Sequence, residues 1–425
     1  MIARLVALIL CLVALPAAAQ TMAIVHARAW TMTGDAPVED ATIVVRDGKI
    51  VSVAPRAAPP PGISVVDAGG RLVTPGLMNG ATQLGLVEVS AATDTDDRTA
   101  TTGPLGAAFD VRYALNANSV LIPVVRADGV TRTWSYPDPG AGTPFAGMAA
   151  VLRLDETLLD RPQAGMVAIV GGRSQERNGG SRAAQWVLLR NALQEARAYA
   201  AAPRGIGPRD QLLNRLDVTA LGKVVAGAIP LAIFAERESD IREAIQLAAD
   251  ERVNVVIIGG AEAWRLAPQL AAARIAVVLD PLANLPQDFD RIGARLDNAA
   301  LLARAGVRIA FTVSGNGIYR SYDAGLALRE GAGIAVANGL PYPAALAAMT
   351  TAPAQIWGIA GHYGTLTPGN DADIVIWDGD PLEMTSAPSR VFVRGVEMPL
   401  TTRQSALRDR YAPKRAGDPL PPAYR

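Results

Sequence analysis

Short runs of alternating apolar and polar residues, broken by turns, occupy the stretch from Ala23 to Thr74. Ala41–Arg46 and Ile50–Ala54 flank Asp47-Gly48-Lys49, and that spacing predicts a tight hairpin. A Pro-rich connection from Ala58 to Gly62 precedes a further strand at Ile63–Val66. The same rhythm returns near the other end, at Ala372–Trp377 and Val391–Arg394, with Asp378-Gly379-Asp380-Pro381 and Arg394-Gly395 as turns. Between these ends the period changes. Apolar strands at Pro230–Phe234, Val253–Ile258, Ile275–Leu279 and Val307–Val313 alternate with helical patterns at Ser239–Ala249, Glu262–Ala273, Asp290–Arg304, Leu326–Ala337 and Tyr342–Thr350. Within Ser239–Ala249, Ile241, Ala244, Ile245 and Ala248 fall on one helical face. Strands apolar on both faces and separated by helices predict a parallel sheet, and at this length a (β/α)8 TIM-type barrel. An open doubly wound sheet is the alternative, but no Gly-rich dinucleotide loop follows an early strand. The stretch 88–160 carries scattered Pro, Gly and Thr and is expected to be an insertion over the barrel mouth, while 401–425 is a polar, Pro-rich tail expected to be poorly ordered at its end.

The first residues stand apart. Arg4, an apolar run from Leu5 to Leu15, Pro16 and Ala17-Ala18-Ala19 have the form of a cleavable secretory signal peptide over 1–20, too short an apolar run to span a bilayer. The expected product is periplasmic or secreted, begins near Gln20 or Thr21, and is not membrane-bound after cleavage. The single cysteine, Cys11, leaves with that segment, so disulfide and thiol chemistry are excluded; a chain of this length buries enough apolar surface without them. Lys+Arg and Asp+Glu both number 40, which gives no reason to expect nucleic acid as a partner.

Two segments carry a resemblance. Val73-Thr-Pro-Gly-Leu77, following a β-rich start that contains Asp47-Gly-Lys-Ile50, resembles the entry to an amidohydrolase-superfamily barrel of the imidazolonepropionase-like type. Gly364-Thr-Leu-Thr-Pro-Gly-Asn-Asp-Ala-Asp-Ile-Val-Ile-Trp-Asp378 resembles that superfamily's exit, and Ala345–Ala354 its last barrel helix. The resemblance implies a barrel over 76–360 and a small β-sandwich built from both chain ends, 21–75 and 361–400. It also implies hydrolysis of a non-peptide C–N bond by a water bound to zinc or another divalent metal.

The ligand positions argue otherwise. Where the family has a His-x-His pair, this chain has Ala81 and Gln83; the next two histidine positions match Phe234 and Gly259, and the family aspartate matches Ser314. A methyl group cannot ligate and a neutral amide is a poor substitute for imidazole. No realignment supplies imidazoles, because the only histidines are His26 and His362, both in the segments expected to form the sandwich and both expected to be structural or solvated. No metal or other cofactor is therefore predicted. Ser174 and Ser314 lack a histidine to activate them, and Lys223 is the only interior lysine for a Ser-Lys pair. Asp94-Thr-Asp-Asp97 lacks the spacing of a calcium loop and is expected to be solvated. By strand position, Gln83, Glu88, Phe234, Glu236, Gly259, Ser314 and Asn316 are expected to converge at the barrel mouth, a lining suited to a small neutral or weakly cationic ligand. Three readings stay open: a non-catalytic descendant that binds a small ligand or partner, an active hydrolase with an atypical or metal-free site, and an envelope scaffold with no small ligand.

Overall fold

A computed structural model describes residues 21–89, 91–103, 105–140, 143–172, 179–201, 213–315 and 319–412. The expected signal peptide, Ser174, Asn316 and the end of the tail lie outside the described residues.

The two chain ends share one eight-stranded sheet. Its strands are β1 (Met22–Ala29), β2 (Val38–Arg46), β3 (Lys49–Pro55), β4 (Ser64–Asp67) and β5 (Leu72–Pro75) from the first segment. The second segment adds β14 (Ile374–Trp377), β15 (Pro388–Val393) and β16 (Val396–Met398), in the order β16-β15-β14-β5-β1-β2-β3 with β4 also on β1. The predicted hairpin is the β2–β3 turn, where Asp47 and Gly48 both have positive φ, 54° and 74°, the primed geometry that matches strand twist. All eight strands are joined by hydrogen bonds into one continuous sheet. Register shifts in β1 around His26, itself at φ 52°, bend that strand, so β4 pairs with its first half and β5 with its last. Alternation along β14 joins this sheet to the rest of the molecule. Ile374 and Ile376 enter the sheet's own apolar cluster, and Val375 and Trp377 enter the main core.

The second sheet, also eight-stranded, is a nearly closed barrel: β6 (Leu77–Thr82), β7 (Val130–Ser135), β8 (Phe145–Arg153), β9 (Leu158–Ile169), β10 (Leu231–Ala235), β11 (Val255–Gly259), β12 (Ala276–Leu279) and β13 (Ile309–Phe311). Every neighbouring pair is parallel except those made by β8, which is antiparallel to both β7 and β9. The stretch 88–160 is thus not wholly an insertion. It supplies β7, β8 and the start of β9 as a meander without helices, and β8 is buried along almost its whole length. In β10 to β13, successive residues alternate between the barrel interior (Ala232, Val256, Val278, Ala310) and the helical layer (Ile233, Ile257, Val277, Phe311). Asp290–Arg304 is not one helix: a short turn at Phe289–Arg291 is separated from the helix Asn298–Arg304 by a loop that crosses the mouth.

The barrel axis is filled by aromatic rings. Trp134 stacks on Trp357 with centroids 3.9 Å apart at 5°, Tyr136 follows at 5.6 Å from Trp134, and Phe234 lies 4.9 Å from Tyr136. Each such pair adds about 0.5–1.5 kcal/mol beyond area burial. The Trp357 indole N–H donates to the Gly80 carbonyl, fixing the column's lower end to β6.

Candidate functional site

The column ends at Phe234, where the C-terminal ends of β10 to β13 open into a cavity of about 40 Å³. Ala81, Phe234, Glu236, Gly259 and Ser314 line it. Four positions matched to metal ligands of the family therefore face one space. The lining also includes Tyr136, Asp280, Arg291, Asn298 and Thr312, none singled out from the sequence.

Glu236 lies directly beyond β10. Its Oε1 accepts from Arg291 Nη2 at 2.7 Å and its Oε2 from the Ala261 N–H at 3.0 Å. The carboxylate fits there because Gly259, at φ 94°, has no Cβ; one would stand 2.6–2.7 Å from the Glu236 carboxylate atoms. Asp280 lies directly beyond β12. Its Oδ1 accepts the Leu282 N–H at 2.9 Å, and its Oδ2 accepts both the N–H and the hydroxyl of Ser314. Thr312 donates its hydroxyl to the Ala81 carbonyl, tying β13 to β6 where the barrel closes. The loop above is pinned from several sides, by Arg291 on Glu236, Arg182 on Asp290 and the Gly293 N–H on Glu262.

Two expected lining residues lie elsewhere. Gln83 is fully buried but points to Arg98, whose Nη1 donates to its Oε1 at 2.8 Å, and it does not line the cavity. The irregular pairing between Asn79 and Thr82 breaks the alternation of β6 before Gln83 is reached. Glu88 is farther out, accepting from Asn116 Nδ2 and the Val120 N–H, and its role there is to hold a loop. Within Asp94–Asp97, Asp96 is paired with Arg98, whose hydrogen bond holds its carboxyl below the usual range. His26 bonds Asp67 at the sheet surface, and that hydrogen bond raises its imidazole pKa. His362 lies 3.4 Å from Asp160, on the opposite side of the barrel from the mouth. Lys223 is hydrogen-bonded to Gln163 rather than to a serine.

The donor set does not fit a divalent metal. Ala81, Phe234 and Gly259 bring no donor atom, Ser314 spends its hydroxyl proton on Asp280, and all four oxygens of Glu236 and Asp280 already accept hydrogen bonds. Among the described residues no group of three or more His, Cys, Asp or Glu side chains is close enough to hold a metal ion, and none of the helices is long and apolar enough to cross a membrane.

Residues 255–401 match the Amidohydrolase family model. The chain is 24% identical to amidohydrolase tasK of Hapsidospora irregularis, an alignment covering 86% of this chain and 40% of that protein, so it spans about two fifths of that relative's length. An amidohydrolase from Thermotoga maritima superposes with a TM-score of 0.79 at 24% identity, covering 89% of this chain and 99% of that one. Molinate hydrolase superposes at 0.54 and 16% identity, covering 90% and 95%. At these identities the structural likeness establishes the fold.

Proposed function

Given that the chain carries an amidohydrolase-family domain over residues 255–401, we propose that it is an exported, metal-independent descendant that binds a small ligand at the barrel mouth instead of hydrolysing a C–N bond. One observation carries the reading. The positions facing the cavity offer a methyl group, a ring, a glycine and a spent hydroxyl where a hydrolytic centre needs imidazoles and a free carboxylate. What remains is a mixed lining of apolar and hydrogen-bonding groups, the composition of a binding site. Export rests on the signal-like segment 1–20, followed at Met22 by the first strand of the folded sheet.

The test uses the full chain purified after export. Elemental analysis is expected to find far less than one transition metal per chain after mild dialysis. A thermal-shift screen of small neutral and cationic compounds is expected to find ligands whose stabilisation disappears in Ala81→Leu, which fills the cavity. Stoichiometric zinc, manganese or iron, or turnover of an amide that Ala81→Leu abolishes, would restore the hydrolase reading. A screen without hits would leave the scaffold reading in its place.

A further inference from the structure

The charges and protons around the cavity specify more than its size. Glu236 is neutralised by Arg291, whose Nε also lies 3.9 Å from Asp288 Oδ2. Arg295, the other guanidinium in the lining, is held by Asp297. Asp280 is different. Its three hydrogen bonds come from neutral donors, the Leu282 N–H and the N–H and hydroxyl of Ser314, and no cation pairs with it among the described residues.

The hydroxyls add to this asymmetry. Thr312 donates to the Ala81 carbonyl and Ser314 to Asp280, so both present only lone pairs to the cavity. Asn298, 5% exposed, donates its Nδ2 to the Gly260 carbonyl at 2.9 Å and leaves Oδ1 without a partner. A buried acceptor left unpaired costs about 1–3 kcal/mol, which a donor entering the cavity would remove. The floor is the pair of rings Tyr136 and Phe234, at 44° to one another, and aromatic faces attract cations. Finally, about 40 Å³ corresponds to roughly three water positions, which limits the part of an occupant seated in the cavity to a few heavy atoms.

An uncompensated carboxylate, an orphaned acceptor, hydroxyls with spent protons and an aromatic floor all call for a compact, donor-rich cation. We infer that the mouth cavity takes a small amidinium or primary ammonium group, with Asp280 as its counter-charge, Asn298 Oδ1 accepting one of its protons and the Tyr136–Phe234 floor against its apolar end. The inference rests on the ligand-binding reading and names the ligand class. A flat amidinium suits the arrangement because its paired N–H groups can satisfy Asp280 and Asn298 together.

Acetamidinium, acetamide and acetate share a shape and differ in charge, so they test the class without any variant. Calorimetric titration of the full chain is expected to show saturable acetamidinium binding, acetamide weaker by about tenfold or more, and no binding of acetate. Asp280→Asn, which keeps the acceptor for Ser314 and gives up the one for the Leu282 N–H, is expected to bring acetamidinium down to the acetamide level with an unchanged far-UV spectrum. Asn298→Ala is expected to weaken both. Equal affinity for acetamidinium and acetamide, preference for acetate, or indifference to Asp280→Asn would overturn the ligand class while leaving binding intact. Hits in the wider screen with no acetamidinium binding would do the same. Failure of all three probes and of the whole screen would overturn the binding reading itself, and this inference with it.

Discussion

Substituting Arg132 tests what joins the sheet of chain ends to the barrel. Arg132 lies on β7 and its side chain is 0% exposed. Its Nε meets Asp160 at 3.2 Å, its Nη2 meets Asp371 at 3.0 Å, its Nη1 meets Asp373, and the guanidinium lies 5.0 Å from the Tyr363 ring centroid. Asp371 and Asp373 flank Ala372 in the exit segment just before β14, so one side chain ties the C-terminal segment to a barrel strand. The three carboxylates are not equally dependent on it. Asp371 has Lys49 at 2.7 Å and Arg394 at 3.7 Å, and Asp160 has Arg153 at 3.7 Å. Among the described residues Asp373 has no other cation, only the Arg394 N–H at 2.9 Å and the Thr131 hydroxyl. Burial already pushes its carboxyl above the usual range, with Arg132 offsetting part of that.

Arg132→Met keeps the stem and removes the charge, so the cost is close to that of one stranded buried carboxylate, about 3–5 kcal/mol. Against a total stability of about 5–15 kcal/mol, the midpoint of urea unfolding should fall by about a fifth or more. The pH dependence has a definite sign. A carboxyl whose folded pKa is raised destabilises the fold only where it must ionise, so its cost is full above the folded pKa and vanishes below the unfolded one. The gap between parent and variant should therefore narrow as pH falls from 8 to 5, and Asp373→Asn added to Arg132→Met should recover much of the loss. A gap below about 1 kcal/mol, or one indifferent both to pH and to Asp373→Asn, would show that the network does not hold the two sheets together.

Asp128, packed against Gly325 and accepting from the Leu326 N–H, has its carboxyl pushed up to about 6 by burial. That group's contribution to stability is lost as pH rises from about 4 through 6, so Asp128→Asn should stabilise the protein at pH 8 by up to about 3 kcal/mol and flatten its melting temperature across that window; equal melting temperatures at pH 8 would contradict this. Gly259→Ala must displace the Glu236 carboxylate and hold alanine at φ 94°, so urea unfolding should show a loss of about 1–3 kcal/mol; a neutral substitution would mean that Glu236 can leave Arg291 freely.

Much of this architecture is written in local pattern. The Asp47-Gly48 turn, the strands β10 to β13 with their alternation, and the strand pieces at both ends follow from periodicity and turn chemistry. The β7–β9 meander was not legible, because β8 is buried along nearly all its length and so shows neither a helical period nor a half-buried alternation. At the mouth, the residue after an apolar strand is informative, and that rule places Phe234, Glu236, Gly259 and Ser314. Applied to Leu279 it also yields Asp280, so that carboxylate was available to the same reasoning. Arg291 was not, because it reaches Glu236 across 55 positions of sequence by way of a loop that the helical pattern of Asp290–Arg304 concealed. Gln83 and Glu88 were misplaced for a common reason. The irregular pairing of β6 turns the chain away from the mouth before either is reached.

The groups at the mouth depend on one another. Gly259 gives Glu236 the room to turn onto Arg291, and Arg291 in turn holds the loop that carries Arg295 and leads into the helix of Asn298. An imidazole at position 259 would need a Cβ 2.6–2.7 Å from the Glu236 carboxylate atoms, so histidine does not fit there while that ion pair survives. Phe234 is constrained from below, because its ring ends a column running through Tyr136 and Trp134 to Trp357, and exchanging it for histidine would put a polar ring into that packing. Gly259 and Phe234 are thus tied to different features of the structure, the loop latch in one case and the aromatic axis in the other. With Glu236 held by Arg291, the carboxylate in the lining that no cation pairs with among the described residues is that of Asp280.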